Sequence, residues 1–145
     1  MRNIFLVGVV LLFSGCVSKS SLAKSSNVMN FCSNDSVLNT YDFLVKKMQN
    51  HYLSKTDGNE TVPLYTNTGA MVEMDGKTYI EHEKNDNNIY EISVSKKIGL
   101  SPKVYGELIN IFEGSNDCIT KVEVKYISFY WKKDAVLVEG WLKNK

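Results

Sequence analysis

Val37, Leu38, Tyr41, Leu44, Val45, Met48 and Tyr52 recur at spacings of three and four. That is the apolar stripe of an amphipathic helix, and it predicts a helix over residues 35–53 with Asn34 or Asp35 as its N-cap. After a loop at 57–59 the pattern shortens to strands. Residues 62–66 form a brief candidate, which Pro63 restricts to a sheet edge or an irregular piece. Residues 70–74 and 77–83 flank Asp75-Gly76. This dipeptide favours the positive φ of a two-residue hairpin turn and would set Val72 opposite Tyr79 and Ala70 opposite Glu81. A turn at 85–88 leads into residues 89–95, where Tyr90, Ile92 and Val94 alternate with Ile89, Glu91 and Ser93.

Ser101-Pro102 reads as the start of a second helix, with Ser101 as cap and Pro102 in the first turn. Val104, Leu108, Ile111 and Phe112 give it a stripe, and Gly114 stops it. Residues 118–132 read as a long strand, Lys133-Asp134 as a turn and residues 135–142 as the last strand. The expected fold is α+β: an antiparallel sheet meander with two helices on one face.

The N-terminal residues follow another logic. Arg2 precedes a ten-residue apolar run at 4–13, and Ser14, Gly15 and Cys16 follow before the chain turns polar. A spanning helix needs roughly 20 apolar residues, so the run reads as a secretory signal with small residues at its cut. Phe13-Ser14-Gly15-Cys16 resembles the lipobox of bacterial lipoproteins, with Phe13 where that family usually has Leu. The resemblance implies cleavage before Cys16, diacylglycerol on its thiol and acylation of the new N-terminus. It also implies delivery to the outer membrane, because Val17 is not the Asp that favours inner-membrane retention. The expected organisation is a signal peptide at 1–15, a lipidated flexible tether at 16–30 and a single domain at 31–145, facing the periplasm.

Composition narrows the classes further. The chain has 145 residues, 17 Lys plus Arg, 16 Asp plus Glu and a formal net charge of +1. This excludes a collagenous or wholly disordered chain and speaks against a strongly basic nucleic-acid binder. Arg2 is the one arginine, so the exported domain has no guanidinium for bidentate phosphate or carboxylate clamps. With Cys16 set aside, Cys32 and Cys118 remain, and two cysteines in an exported domain usually pair. Such a bridge closes a loop of about 86 residues, for which chain entropy alone gives roughly 4 to 5 kcal/mol.

Candidate chemistry is sparse. His82 lies in Glu81-His82-Glu83, which suggests a metal site until strand geometry is considered. In a strand the two glutamates point one way and the histidine the other, so the three cannot share an ion. His51 falls near the end of the first helix, where its ring can meet helix-terminal carbonyls. The sequence has no GxSxG elbow, no glycine-rich phosphate loop and no HExxH pattern. We therefore expect no catalytic residue, metal or cofactor. Charge is unevenly spread: residues 57–91 hold eight acidic residues and two lysines. Glu81, Glu83 and Glu91 mark an acidic face suited to a basic partner, or simply to water. Tyr126, Phe129, Tyr130, Trp131 and Trp141 add aromatic density that serves either a core or an interface.

The function expected from these features is non-enzymatic binding by a lipid-anchored periplasmic protein, as an immunity protein or inhibitor captures a toxin or envelope hydrolase. The alternative is an accessory or pilot subunit of an envelope secretion or assembly system. The expected partners are the membrane, through the lipid on Cys16, and a protein; no nucleic acid is expected.

Overall fold

The computed structural model describes residues 17–53, 58–65, 71–115 and 117–145. The expected signal peptide, the lipobox-like stretch and Cys16 lie outside the described residues, as do Asp57 and residues 66–70. The order of elements is α1 (Lys19–Ala23), β1 (Val28–Ser33), α2 (Val37–Leu53), β2 (Asn59–Tyr65), β3 (Met71–Lys84), β4 (Tyr90–Ile98), β5 (Val104–Glu113), β6 (Thr120–Tyr126) and α3 (Phe129–Lys143).

The six strands form one open antiparallel sheet in the order β1-β6-β5-β4-β3-β2. Strands β2 to β6 follow one another as a meander. β1 takes the far edge beside β6, and α2 spans the sheet between the two edges, touching β3, β4, β5 and β6. The fold is thus α+β with an antiparallel meander, as the pattern predicts. Two helices do cover one face, but the second is α3 rather than a helix at 101–114.

The first helix forms where its stripe predicts. Leu44 and Met48 are fully buried, with Val37, Tyr41 and Val45 packed beside them. Its cap is Ser36, one residue later than expected, whose Oγ accepts from the Asn39 N–H at 3.3 Å. α3 contributes Trp131, Ala135 and Val138, spaced four and three apart. These meet Ile92, Val94, Ile109, Ile111, Val122 and Val124 from the three central strands in one apolar cluster.

Four expectations need correction. Residues 101–114 do not form a helix. Ser101 and Pro102 belong to the β4–β5 turn, where Ser101 N–H donates to the Ile98 carbonyl, and residues 104–113 form β5. β5 is a central strand covered on both faces, with residues 106–109 all buried. A strand buried on both sides loses its alternation, so its apolar positions can fit a helical spacing by chance.

Residues 135–142 are not a strand, nor is Lys133-Asp134 a turn; both lie inside α3, and β6 stops at Tyr126. Asp75-Gly76 is not a hairpin turn either. Both residues are extended inside β3, where Gly76 pairs with Glu60 on one side and Ile98 on the other. Pairing on two sides outweighs the local turn preference. The glycine serves close packing instead: a Cβ there would lie 2.9 Å from the Val62 side chain. The turn at 85–88 does form, with Asn88 at φ 57° and the Asn85 side chain accepting from the Asn87 and Ile89 amides.

The stretch expected as a tether, 16–30, is folded from Val17 onward. α1 lies on the face opposite α2 and α3, over β5 and β6, with Leu22 fully buried. Tyr105 N–H donates to the Val17 carbonyl at 3.0 Å, and β1 pairs with β6 from Val28 to Ser33. A Ser- and Lys-rich composition suggests a solvated linker. One leucine that fills a gap on the sheet, together with an unpaired β6 edge, overrides it.

Candidate functional site

Strand alternation places Glu81, Glu83 and Glu91 together on the α1 face of the sheet. Glu83 stands directly opposite Glu91 across β3 and β4, and Glu81 stands opposite Ser93. Like charges facing each other across a ladder repel, and here Lys19 on α1 relieves them. Its ammonium meets Glu83 Oε1 at 2.6 Å and also pairs with Glu91. The Lys103 ammonium binds Glu81 Oε1 at 2.6 Å, and Tyr105 Oη donates to Glu81 Oε2 at 2.8 Å. Lys103 and then Tyr105 hold the Glu81 carboxyl below its ordinary value, and Lys19 does the same for Glu83. Partial burial pulls the Lys19 ammonium down, but Glu83 and Glu91 outweigh it and its pKa rises. Glu83 and Glu91 therefore pin α1 through Lys19, while Glu81 is closed by Lys103 and Tyr105, so the three carboxylates form ion pairs rather than a bare acidic face.

The histidines follow strand and helix geometry. His82 points to the α2 face, away from Glu81 and Glu83, and its Nδ1 lies 2.7 Å from Tyr41 Oη. His51, near the end of α2, has Nε2 3.9 Å from Asp134 Oδ1 and packs edge-on against Trp141. Among the described residues no three His, Cys, Asp or Glu side chains converge as metal ligands would. Cys32 and Cys118 are bonded, with an S–S distance of 2.06 Å and Cα atoms 5.4 Å apart. The bridge ties β1 to the β5–β6 turn. The paired cysteines were legible from their count alone. Trp131 is buried and Trp141 packs against the core cluster, so this part of the aromatic group serves the core.

An open groove of about 740 Å³ runs between the start of α2, the β3–β4 turn and the end of β5. Val37, Leu38, Ile89, Tyr90 and Phe112 give it an apolar floor, while Lys84, Asn87 and Glu113 supply polar rims. Leu38 is half exposed. No family model, no curated protein and no solved structure matches this chain. What the site can do must therefore be argued from its own side chains. Apolar and aromatic groups ringed by polar ones make up the usual composition of a surface that takes up a protein segment. Sequence reasoning missed the groove because its walls come from three separate stretches of the chain.

A second feature was also missed. Glu107 on β5 is fully buried, and among the described residues neither carboxylate oxygen has a hydrogen-bond partner. It stands between Val94 on β4 and Tyr126 on β6, beneath α3. Burial first, and the Asp134 charge on α3 second, push its pKa up to about 8. The carboxyl is thus held neutral near pH 7. The signal was available: one acidic residue inside the apolar stretch 104–112. Reading that stretch as a helix left Glu107 without a role, because a helix edge lets a carboxylate reach water and a two-sided strand does not.

Proposed function

We propose that the protein is a lipid-anchored envelope protein that binds a protein partner, such as a toxin or envelope hydrolase, through the groove at the start of α2. The observation that carries the reading is the groove itself, lined by five apolar or aromatic side chains, of which Leu38 is exposed and the other four are partly buried, within a polar rim. Its position supports the anchor reading. Val17, the residue after Cys16, is fixed at the start of β5, and the groove lies at the opposite end of the sheet. A chain tethered at residue 16 would present the groove away from the membrane. The Cys32–Cys118 bridge fits an oxidising, exported location. The ion-paired state of Glu81, Glu83 and Glu91 moves the proposed contact from that face to the groove.

The test is crosslinked affinity purification of the protein from its native envelope, beside a Leu38→Asp variant and a Cys16→Ser variant. We expect a protein captured in near-equal amount, lost with Leu38→Asp while the melting temperature holds. Equal capture by Leu38→Asp would refute the groove. A mass for Cys16 without acyl groups would refute the anchor. Recovery of a multi-subunit membrane assembly would move the reading to an accessory subunit.

A further inference from the structure

The end of the sheet opposite the groove carries features that the binding function does not use. β2 pairs with residues 71–77 of β3, whereas β4 pairs with residues 76–84, so the two pairings overlap at Gly76 and Lys77 alone. The rest of the β2–β3 ribbon projects past the sheet, with Met71 58% exposed near its outer end. Beside its base, the β4–β5 turn holds Leu100 completely in solvent. Lys77 and Lys97 stand directly opposite one another on neighbouring strands. This arrangement is unfavourable unless an anion lies between or above the two charges. Among the described residues neither lysine has a carboxylate within ion-pair distance. The two lysines line an open pocket of about 470 Å³ with Tyr79, Leu100 and Asp75, a lining of net positive charge.

Where the undescribed N-terminal segment joins the fold decides what this patch faces. Val17 is held by the Tyr105 N–H at the start of β5, the same end of the sheet. Tyr105 follows Leu100 by five residues, a span of at most about 18 Å. The membrane-directed segment, acylated at Cys16 or carrying its apolar run at 4–13, thus joins the domain beside the patch.

We propose that this end of the molecule docks on an anionic membrane surface, with Leu100 and Met71 entering the interface and Lys77 and Lys97 meeting lipid phosphates. The proposal rests on the anchor reading for its orientation. An exposed leucine at a turn tip gains by leaving water, and lysines near an anionic leaflet each strengthen association roughly fivefold. The docked pose keeps the groove outward, so membrane contact and partner capture use opposite ends of one sheet.

The experiment uses the full chain carrying Cys16→Ser, so that no acyl chain contributes, with methyl-labelled Leu, Ile and Met. It is mixed with vesicles of phosphatidylglycerol and phosphatidylcholine containing a nitroxide-labelled lipid. We expect paramagnetic broadening of the Leu100 and Met71 methyls several-fold above that of Leu38 and Ile119 at the other end. The excess should vanish in pure phosphatidylcholine and fall roughly fivefold for each lysine removed in Lys77→Gln and Lys97→Gln. Equal broadening at both ends, no broadening, or an excess indifferent to both lysines and to lipid charge would overturn the proposal. An unmodified Cys16 in protein taken from the native envelope would refute the anchor instead, and leaves the vesicle result readable.

Discussion

Replacing Glu107 with Gln removes a titration that the fold couples to stability. In the unfolded chain the carboxyl ionises near its ordinary value of 4.5, and in the folded protein near about 8. Between these values the folded form keeps a proton that the unfolded form has released. Stability therefore falls as pH rises, by about 1.4 kcal/mol per pH unit. Its contribution is complete below pH 4.5 and is lost progressively up to about pH 8. The whole interval amounts to roughly 5 kcal/mol, of which roughly 3 kcal/mol is already lost at pH 7. The cause is visible in the site: both oxygens are buried without a partner among the described residues, and Asp134 lies close by. The assay is urea denaturation of the wild type and Glu107→Gln at half-unit steps from pH 5 to 9. The wild type should lose stability steadily across pH 5 to 8, whereas the variant should show a flatter profile and exceed it at pH 8. Parallel profiles would refute the reasoning, because they would mean that Glu107 ionises in the folded state as it does in the unfolded one.

Other perturbations test other joints of the fold. Cys32→Ser with Cys118→Ser should lower stability by roughly 4 kcal/mol, since the bridge spans 86 residues. Two titratable thiols in protein purified without reductant would contradict the bridge. Leu22→Ala should cost about 2 to 3 kcal/mol and open residues 17–27 to proteolysis, because Leu22 is fully buried under α1; an unchanged melting temperature and cleavage pattern would return that stretch to the status of a tether. Gly106→Ala should destabilise strongly, as a Cβ would fall 2.0 Å from the Trp131 ring; a neutral change in calorimetry would show that α3 shifts freely on the sheet.

α2 was legible because one of its faces meets the core, so its stripe has the period of a helix. β4 was legible at Tyr90, Ile92 and Val94 for the same reason, although Ser93 and Ser95 are buried too, on the opposite face. β5 was not legible, because burial on both faces erased its alternation. α3 was misread because Ile127, Phe129 and Trp131 alternate as a strand would. The groove depended on three distant segments meeting, which no local pattern encodes.

By itself the sequence determined those features that are additive along the chain or decided within a few residues. These are the α2 stripe, the Asn85–Asn88 turn, the pairing of the two cysteines left in the domain, and the α+β class that follows from mixing both periods. Only the tertiary structure decided the rest. It extended β3 through Asp75-Gly76, because hydrogen bonds on two edges outweigh one turn preference. It drew residues 17–33 into the fold, because Leu22 and the β6 edge offered burial and pairing that composition does not reveal. It turned Glu81, Glu83 and Glu91 into closed ion pairs by bringing Lys19 and Lys103 across the sheet. It also buried Glu107 with no hydrogen-bond partner among the described residues, a placement set by which strand lies beneath α3. Each of these outcomes is a competition between a local preference of about 1 kcal/mol and several nonlocal contacts acting together, and in each the nonlocal contacts prevail.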